Sequence, residues 1–426
     1  MKSDFLSQSS LSNGVRLVMI NVPHVNSVAS AVMVGVGSRY ETTKINGISH
    51  FLEHMVFKGT KKYPTTEDVN VIERVGGLQN AYTDIDVTSY HNKVLAEDWE
   101  LGLEINKELA IHPRLEQKHV DKERDVIIEE MKRYEDEPAA KVEETFHQML
   151  YPGTKLGMRI IGEEKSLRSV AAKELKAYHT AWYCPEKIVV VLAGNLKDKK
   201  KITSKVEEWF RDLPKQKTGD IETVQEKQTE PKLEVVTKPD ASQAHLVIGL
   251  RTYARTSEDR FAWGVFNLLM GVGFTSRLFK EVREKRGLCY HVRSSGSGYA
   301  DVGNWDIYAG VATDKVAEAT KAIIAELSKA LDKGVTSEEV DVARKRLKTV
   351  LAFRSEDPEF FTEWYGRQEV YNQPTLTLED YIKKIDKVTK ADINKLIKKY
   401  FKTETLNMAL VWNKPRDEKL LDLLRI

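Results

Sequence analysis

Hydrophobic positions near the start of the chain recur at every second residue. Val15, Leu17 and Met19 share one side of an extended segment, and residues 30–36 form an apolar run. Residues 14–36 therefore read as two strands, with Pro23 and Asn26 marking the turn between them. Lys44-Ile45-Asn46-Gly47-Ile48-Ser49 reads as a turn leading into a helix, with Ser49 or Asn46 as its cap. A second helix opens at Thr65-Thr66-Glu67-Asp68 and closes at Gly76-Gly77. Residues 78–95 read as a hairpin turning at Asp84-Ile85-Asp86. Its first strand is polar, as suits either a sheet edge or a plain solvated hairpin. Residues 97–110, 116–149 and 171–182 carry helical periodicity, interrupted at Pro113 and Pro138, and residues 188–192 form a buried strand before Ala193-Gly194-Asn195.

Residues 214–232 are polar and unpatterned and read as a linker. Beyond them the first half recurs faintly. Val120 and Pro138 find counterparts in Val340 and Pro358, and the strand before Asn195 finds one in residues 406–412. The sequence thus divides into a first domain over 1–213, the linker over 214–232, and a second domain over 233–426.

Composition narrows the class. The 426 residues are 41% hydrophobic and 31% charged, which suits a globular protein with a sizeable core. A net charge of +2, from 66 basic and 64 acidic residues, provides no basic field for nucleic acid or a membrane surface. No apolar run reaches membrane-spanning length. The two cysteines, Cys184 and Cys289, form no disulfide framework and lack metal-ligand spacing. They suit a reducing compartment, and Met1-Lys2-Ser3-Asp4-Phe5 has no leader-like apolar core, so a cytoplasmic location is expected.

The chemistry concentrates in His50-Phe51-Leu52-Glu53-His54. On a helix, His50 and His54 lie one turn apart on one face, so both imidazoles reach a common point. That is the arrangement two nitrogen ligands need at a tetrahedral zinc, and H-x-x-E-H is the inverted zincin pattern. Glu53 is better placed to take a proton from a zinc-bound water than to serve as a third ligand. The competing reading is an ordinary helix face, but Met55, Val56 and Phe57 bury this helix, and buried histidines need a partner. A third ligand could come from Lys122-Glu123-Arg124-Asp125-Val126-Ile127-Ile128-Glu129-Glu130-Met131, where Glu123 and Glu130 share a helical face. A charge-rich helix of this kind is otherwise a solvated surface. Gly271-Val272-Gly273-Phe274-Thr275-Ser276 lacks the third glycine and the Gly-Lys-Ser/Thr ending of a phosphate loop and reads as a tight turn into a helix.

HFLEH followed by ERDVIIEEM resembles the family of pitrilysin, insulin-degrading enzyme and mitochondrial processing peptidase, over nearly the whole chain. The resemblance implies an α+β fold of two similar domains, each an antiparallel sheet with helices mainly on one face. It makes Glu130, 76 residues past His54, the third ligand of one Zn²⁺ per chain, and Glu123 its acidic supporting residue. It further implies that Asn80 and Ala81 form the substrate-binding edge, and that Arg283 and Tyr290, seven apart, grip the peptide and stabilise the oxyanion. The second half keeps the architecture without the metal residues, since Val350 stands opposite Glu130.

The implied activity is zinc-dependent hydrolysis of peptides or unfolded segments. The alternative is a non-catalytic assembly or partner subunit of a related processing-protease complex. The chain has the length of one half of the family's long members, yet carries both the zinc motif and the Arg283/Tyr290 pair. By that analogy a homodimer is expected, its active site completed in trans, with a heterodimer with a related subunit as the other possibility.

Overall fold

A computed structural model describes residues 5–216, 218–219, 221–225 and 227–426. The strands are β1 (Leu6–Ser10), β2 (Arg16–Asn21), β3 (Ser27–Val34), β4 (Leu78–Thr83), β5 (Thr88–Leu95), β6 (Ile188–Gly194), β7 (Lys232–Thr237), β8 (Gln243–Thr252), β9 (Cys289–Gly298), β10 (Gly303–Ala312) and β11 (Asn407–Trp412). The longer helices are α1 (Ile48–Val56), α2 (Trp99–Ile111), α3 (Gln117–Asp136), α4 (Pro138–Leu150), α5 (Ala172–Trp182), α6 (Lys199–Phe210), α7 (Asp259–Gly271), α8 (Val316–Lys333), α9 (Ser337–Arg354), α10 (Pro358–Val370), α11 (Leu378–Asp386) and α12 (Lys390–Tyr400).

The fold is α+β, with two compact units each built on its own sheet. The first unit comprises Met1–Met131, Met158–Glu222 and Phe353–Leu376; the second comprises Lys132–Gly157, Thr223–Ala352 and Thr377–Ile426. These units differ from the contiguous division expected from sequence, because α4 belongs with the second sheet and α10 with the first. The described part of the expected linker has no helix or strand before Lys232 opens β7, and Lys217, Asp220 and Glu226 of it lie outside the described residues.

In the first unit the strand order is β1-β2-β6-β3-β5-β4. All neighbours are antiparallel except β2 and β6. Side chains alternate across the sheet. Leu17, Met19, Val28, Val32, Tyr90, Val190 and Leu192 face one way and form a single core with Ile48, Phe51, Leu52, Met55 and Val56 of α1. Phe51 and Leu52 are fully buried, each contributing about 2 kcal/mol by the usual transfer scale. The opposite face receives α10, where a Cβ on Gly366 would meet Met33 Sδ at 2.5 Å and Val191 Cγ2 at 3.1 Å, so glycine lets the helix lie close to the sheet. Helices therefore lie mainly on one face of this sheet, and among the described residues of this unit α10 is the longer helix packed closely on the other.

In the second unit the order is β7-β11-β8-β10-β9, with β7 and β11 the parallel pair. Trp305 meets the rings of Phe266 and Phe401 on one face, at centroid distances of 5.3 and 5.6 Å. Its neighbour Asp306 turns to the other face, where Arg293 pairs with Glu143 of α4. The repeat seen in sequence has its structural counterpart here. Val120 and Val340 are buried on α3 and α9, and Pro138 and Pro358 each open a helix at its first position, where a missing N–H costs nothing.

Two local expectations need correction. The helix expected after Thr65 has its capping box but breaks into Thr66–Val69 and Val71–Arg74, because Asn70 leaves helical dihedrals. Neither Ser49 nor Asn46 caps α1. Gly47 stands at that position with φ +92°, where a Cβ would meet Ile161 O at 2.6 Å, and the cap is supplied from elsewhere.

Candidate metal centre

The cap comes from Glu41. Its carboxylate accepts from the backbone N–H of Gly47 at 2.6 Å and of Ser49 at 2.8 Å, and from Asn46 Nδ2 at 2.9 Å. A negative group on the N–H end of α1 satisfies donors that the helix itself leaves open. Glu41 is fully buried, and burial pushes its carboxyl up to about 7, against the pull of those donors. Ser49 is tied further by its hydroxyl to Tyr178, 2.8 Å away. These contacts fix the first turn of α1, from which His50 projects.

His50 and His54 follow one turn apart, with ring centroids separated by 4.6 Å. Glu130, near the middle of α3, reaches the same point. Its Oε2 lies 3.3 Å from His54 Nε2 and 4.0 Å from His50 Nε2. Ligand atoms about 2 Å from a tetrahedral ion are about 3.3 Å apart, so two imidazole nitrogens and one carboxylate oxygen stand close to zinc spacing. Among the described residues this is the group able to hold a metal, with all three ligand atoms within 4.8 Å of one another. The donor set and the spacing fit the ion.

Glu123 stands behind His54, its Oε1 3.0 Å from Nδ1, on the ring edge away from Glu130. Lys58 Nζ holds the other oxygen of Glu123 at 2.6 Å. Burial opposes the charge on Glu123, but the contacts with His54 and Lys58 win and keep it below the usual carboxylate range. A charged Glu123 accepts the Nδ1 proton of His54 and leaves Nε2 as the lone-pair nitrogen. Burial acts on both rings with different outcomes. It lowers His50 and so favours the neutral ligand form. At His54 it is outweighed by Glu123 and Glu130, which raise the metal-free ring to about 9.

Glu53 lies on the same helix between the ligands, at i+3 from His50. Burial raises its carboxyl, and the neighbouring Thr83 moderates the rise. Thr83 closes β4, the edge strand of the sheet. On that strand Asn80 Oδ1 accepts the backbone N–H of Ala81 at 2.9 Å, so an edge donor is occupied by a side chain rather than by β5.

The structure thus brings His50, Glu53, His54, Glu123 and Glu130 together in the first unit, along with the edge strand bearing Asn80 and Ala81. Arg283 and Tyr290 belong to the second unit. Arg283 sits on a π-helical turn, Phe279–Glu284, with its guanidinium over the rings of Phe279 and Tyr290 at 4.9 and 4.6 Å. Tyr290 is 80% exposed at the start of β9. Sequence reasoning missed Glu41, Lys58 and Thr83. Lys58 follows His54 by one helical turn, a spacing that could have revealed it, whereas Glu41 and Thr83 carry no local signal.

Two family profiles match the chain. "Insulinase (Peptidase family M16)" covers residues 16–164, and "Peptidase M16 inactive domain" covers residues 169–347. An uncharacterised zinc protease of Bacillus subtilis is 34% identical over 94% of this chain and 96% of its own. A protease of Helicobacter pylori superposes with a TM-score of 0.89 at 25% identity, covering 96% of this chain and 99% of the other. The periplasmic protease PqqL of Escherichia coli superposes with a TM-score of 0.80 at 20% identity, covering 99% of this chain and 50% of the other. No helix among the described residues is long and apolar enough to cross a membrane. With the histidines of the inverted zincin helix converging on Glu130 of α3, these matches place the chain in the M16 family of peptidases, the family of pitrilysin and insulinase.

Proposed function

We propose that the chain is a zinc metalloendopeptidase acting on peptides or unfolded segments. The observation that carries this reading is the convergence of His50 Nε2, His54 Nε2 and a Glu130 oxygen within 4.8 Å of one another. Zinc bound there would supply Lewis-acid polarisation of the substrate carbonyl and activation of water at neutral pH. Glu53, raised by burial, takes the proton of the attacking water and returns it to the leaving amine. Glu123 holds His54 in the ligand tautomer, and Lys58 holds Glu123. An extended peptide would add to β4, its carbonyl taking the place of Asn80 Oδ1 at the Ala81 N–H.

The proposal extends to assembly. Arg283 and Tyr290 of one copy would serve the zinc of a second copy in a two-fold homodimer, or of a related subunit in a heterodimer. The support is the presence of both motifs in one chain, together with its match to half the length of PqqL. Cys184 and Cys289, both free and buried, support a cytoplasmic setting.

The test is incubation of the purified protein with a mixed peptide library and with a compact disulfide-bonded protein, with and without chelator. Cleavage of the peptides alone, abolished by chelator and restored by zinc, is expected. Bound zinc without turnover would favour the non-catalytic partner subunit instead. Comparable cleavage of the folded protein would contradict strand addition.

A further inference from the structure

A chain of contacts reaches Glu53 from a helix more than 300 residues later in sequence. Thr83 meets α1 beside Glu53: its Oγ1 donates to the carbonyl of Ser49, one turn before Glu53, at 3.5 Å, and it moderates the rise that burial imposes on the Glu53 carboxyl. The residues on either side of Thr83 are held by α10. The Tyr82 hydroxyl lies 2.5 and 2.8 Å from the two carboxylate oxygens of Glu363. Arg367 donates from Nη1 to Asp84 Oδ2 at 2.9 Å and from Nη2 to the Tyr82 hydroxyl at 3.2 Å. Its Nε closes on Glu363 at 2.9 Å, the two residues being one helical turn apart.

The Arg367 side chain is 20% exposed and that of Glu363 35%, so the pair is better shielded than an ordinary surface one. On the neighbouring strand β5, Lys93 pairs with Asp357 at 2.9 Å, and Asp357 caps α10 through the N–H of Glu359. The need is physical. β4 has one neighbouring strand, and a strand bonded on one side only frays at low cost. Its other face offers Tyr82 to α10, and the turn after it offers Asp84.

We infer that Glu363 and Arg367 are positioning residues for peptide hydrolysis: by gripping Tyr82 and Asp84 they hold β4 where Thr83 meets the helix turn that carries Glu53. This rests on the reading of Glu53 as the general base. None of these groups touches the metal ligands. Their effect passes through one strand and one threonine.

The test uses the zinc-loaded chain and a short peptide substrate. Tyr82→Phe keeps the ring and removes the hydroxyl, and Arg367→Met removes the fork. Each is expected to lower kcat about tenfold with zinc per chain unchanged, while KM, which also depends on β4 as the substrate edge, rises by a smaller factor. In a double-mutant cycle, either change made on a Thr83→Val background is expected to add less than about twofold, since the route is already cut. Arg367→Lys, which keeps one donor, recovers part of the loss. In the chelated protein, amide exchange over Leu78–Thr83 should quicken in both variants relative to the rest of the sheet. Full multiplication of the Tyr82→Phe and Thr83→Val effects, or unchanged exchange in β4, would overturn the inference. Tyr82→Phe carries the test alone should Arg367→Met not fold. Glu53→Gln is measured alongside: if it keeps full activity, the general-base reading has failed, whereas an inactive Glu53→Gln with multiplying effects condemns only the role of α10.

Discussion

Glu123 Oε1 and His54 Nδ1 stand 3.0 Å apart, on the side of the imidazole opposite Glu130. The ring is thereby held between an orienting carboxylate and a ligand carboxylate, and its tautomer follows from that geometry. Glu123→Gln, which loses the charge and keeps the shape, should weaken zinc binding by about 10- to 100-fold in chelator competition. Lys58→Met should act in the same direction and more weakly, because it loosens Glu123 without removing it. Unchanged zinc affinity in both variants would remove Glu123 from the metal site.

Glu41 provides a pH dependence whose sign can be worked out. Burial raises its carboxyl from an ordinary value of 4.5 to about 7 in the folded chain. Between those values the folded state holds a proton that the unfolded state has released, so the folded form is favoured. That contribution is fully present below about 4.5 and is lost as pH rises through about 7. Thermal melts of the chelated wild-type and Glu41→Gln proteins from pH 4.5 to 8 should therefore diverge in slope, with the decline that Glu41 causes absent from the variant. Parallel curves would show that Glu41 does not titrate in this range. The variant should also be less stable overall, by about 1–3 kcal/mol, because the amide replaces one of the two oxygens that accept from Gly47 and Ser49 and leaves a buried donor open.

Assembly in trans predicts complementation. Glu53→Gln and Tyr290→Phe proteins should each be weak alone. After subunit exchange, each mixed dimer holds one intact site and should regain up to about half the activity of a wild-type dimer. Demonstrated exchange with no recovered activity would place both motifs within one chain's own site or require another protein.

Much of the metal centre was legible because its signal is local. His50, Glu53 and His54 lie within two helical turns, and their spacing alone sets them on a common face. Glu130 was reachable only through family resemblance, since helical periodicity cannot say which distant helix will approach α1. Glu41 escaped notice because the left-handed Gly47 turns the chain back on itself before the helix begins, so the cap lies outside the usual capping window. Tyr82, Glu363 and Arg367 escaped for a stronger reason. Their pairing depends on α10 joining the first sheet, and a repeat that maps Pro138 onto Pro358 shows two equivalent helices without showing which sheet each covers. The hairpin was legible to within a residue or two, because turn residues and alternation agree there.

Peptide hydrolysis at this centre depends first on Glu53. The decisive measurement is metal content and kcat on one purified Glu53→Gln sample, with His54→Ala and Glu130→Ala beside it. Zinc near one per chain should persist in Glu53→Gln while kcat falls by about 10² or more, and both ligand variants should lose metal and activity together. Near-wild-type turnover by zinc-loaded Glu53→Gln would contradict the assignment of Glu53, and full zinc retention by both ligand variants would contradict the metal site itself.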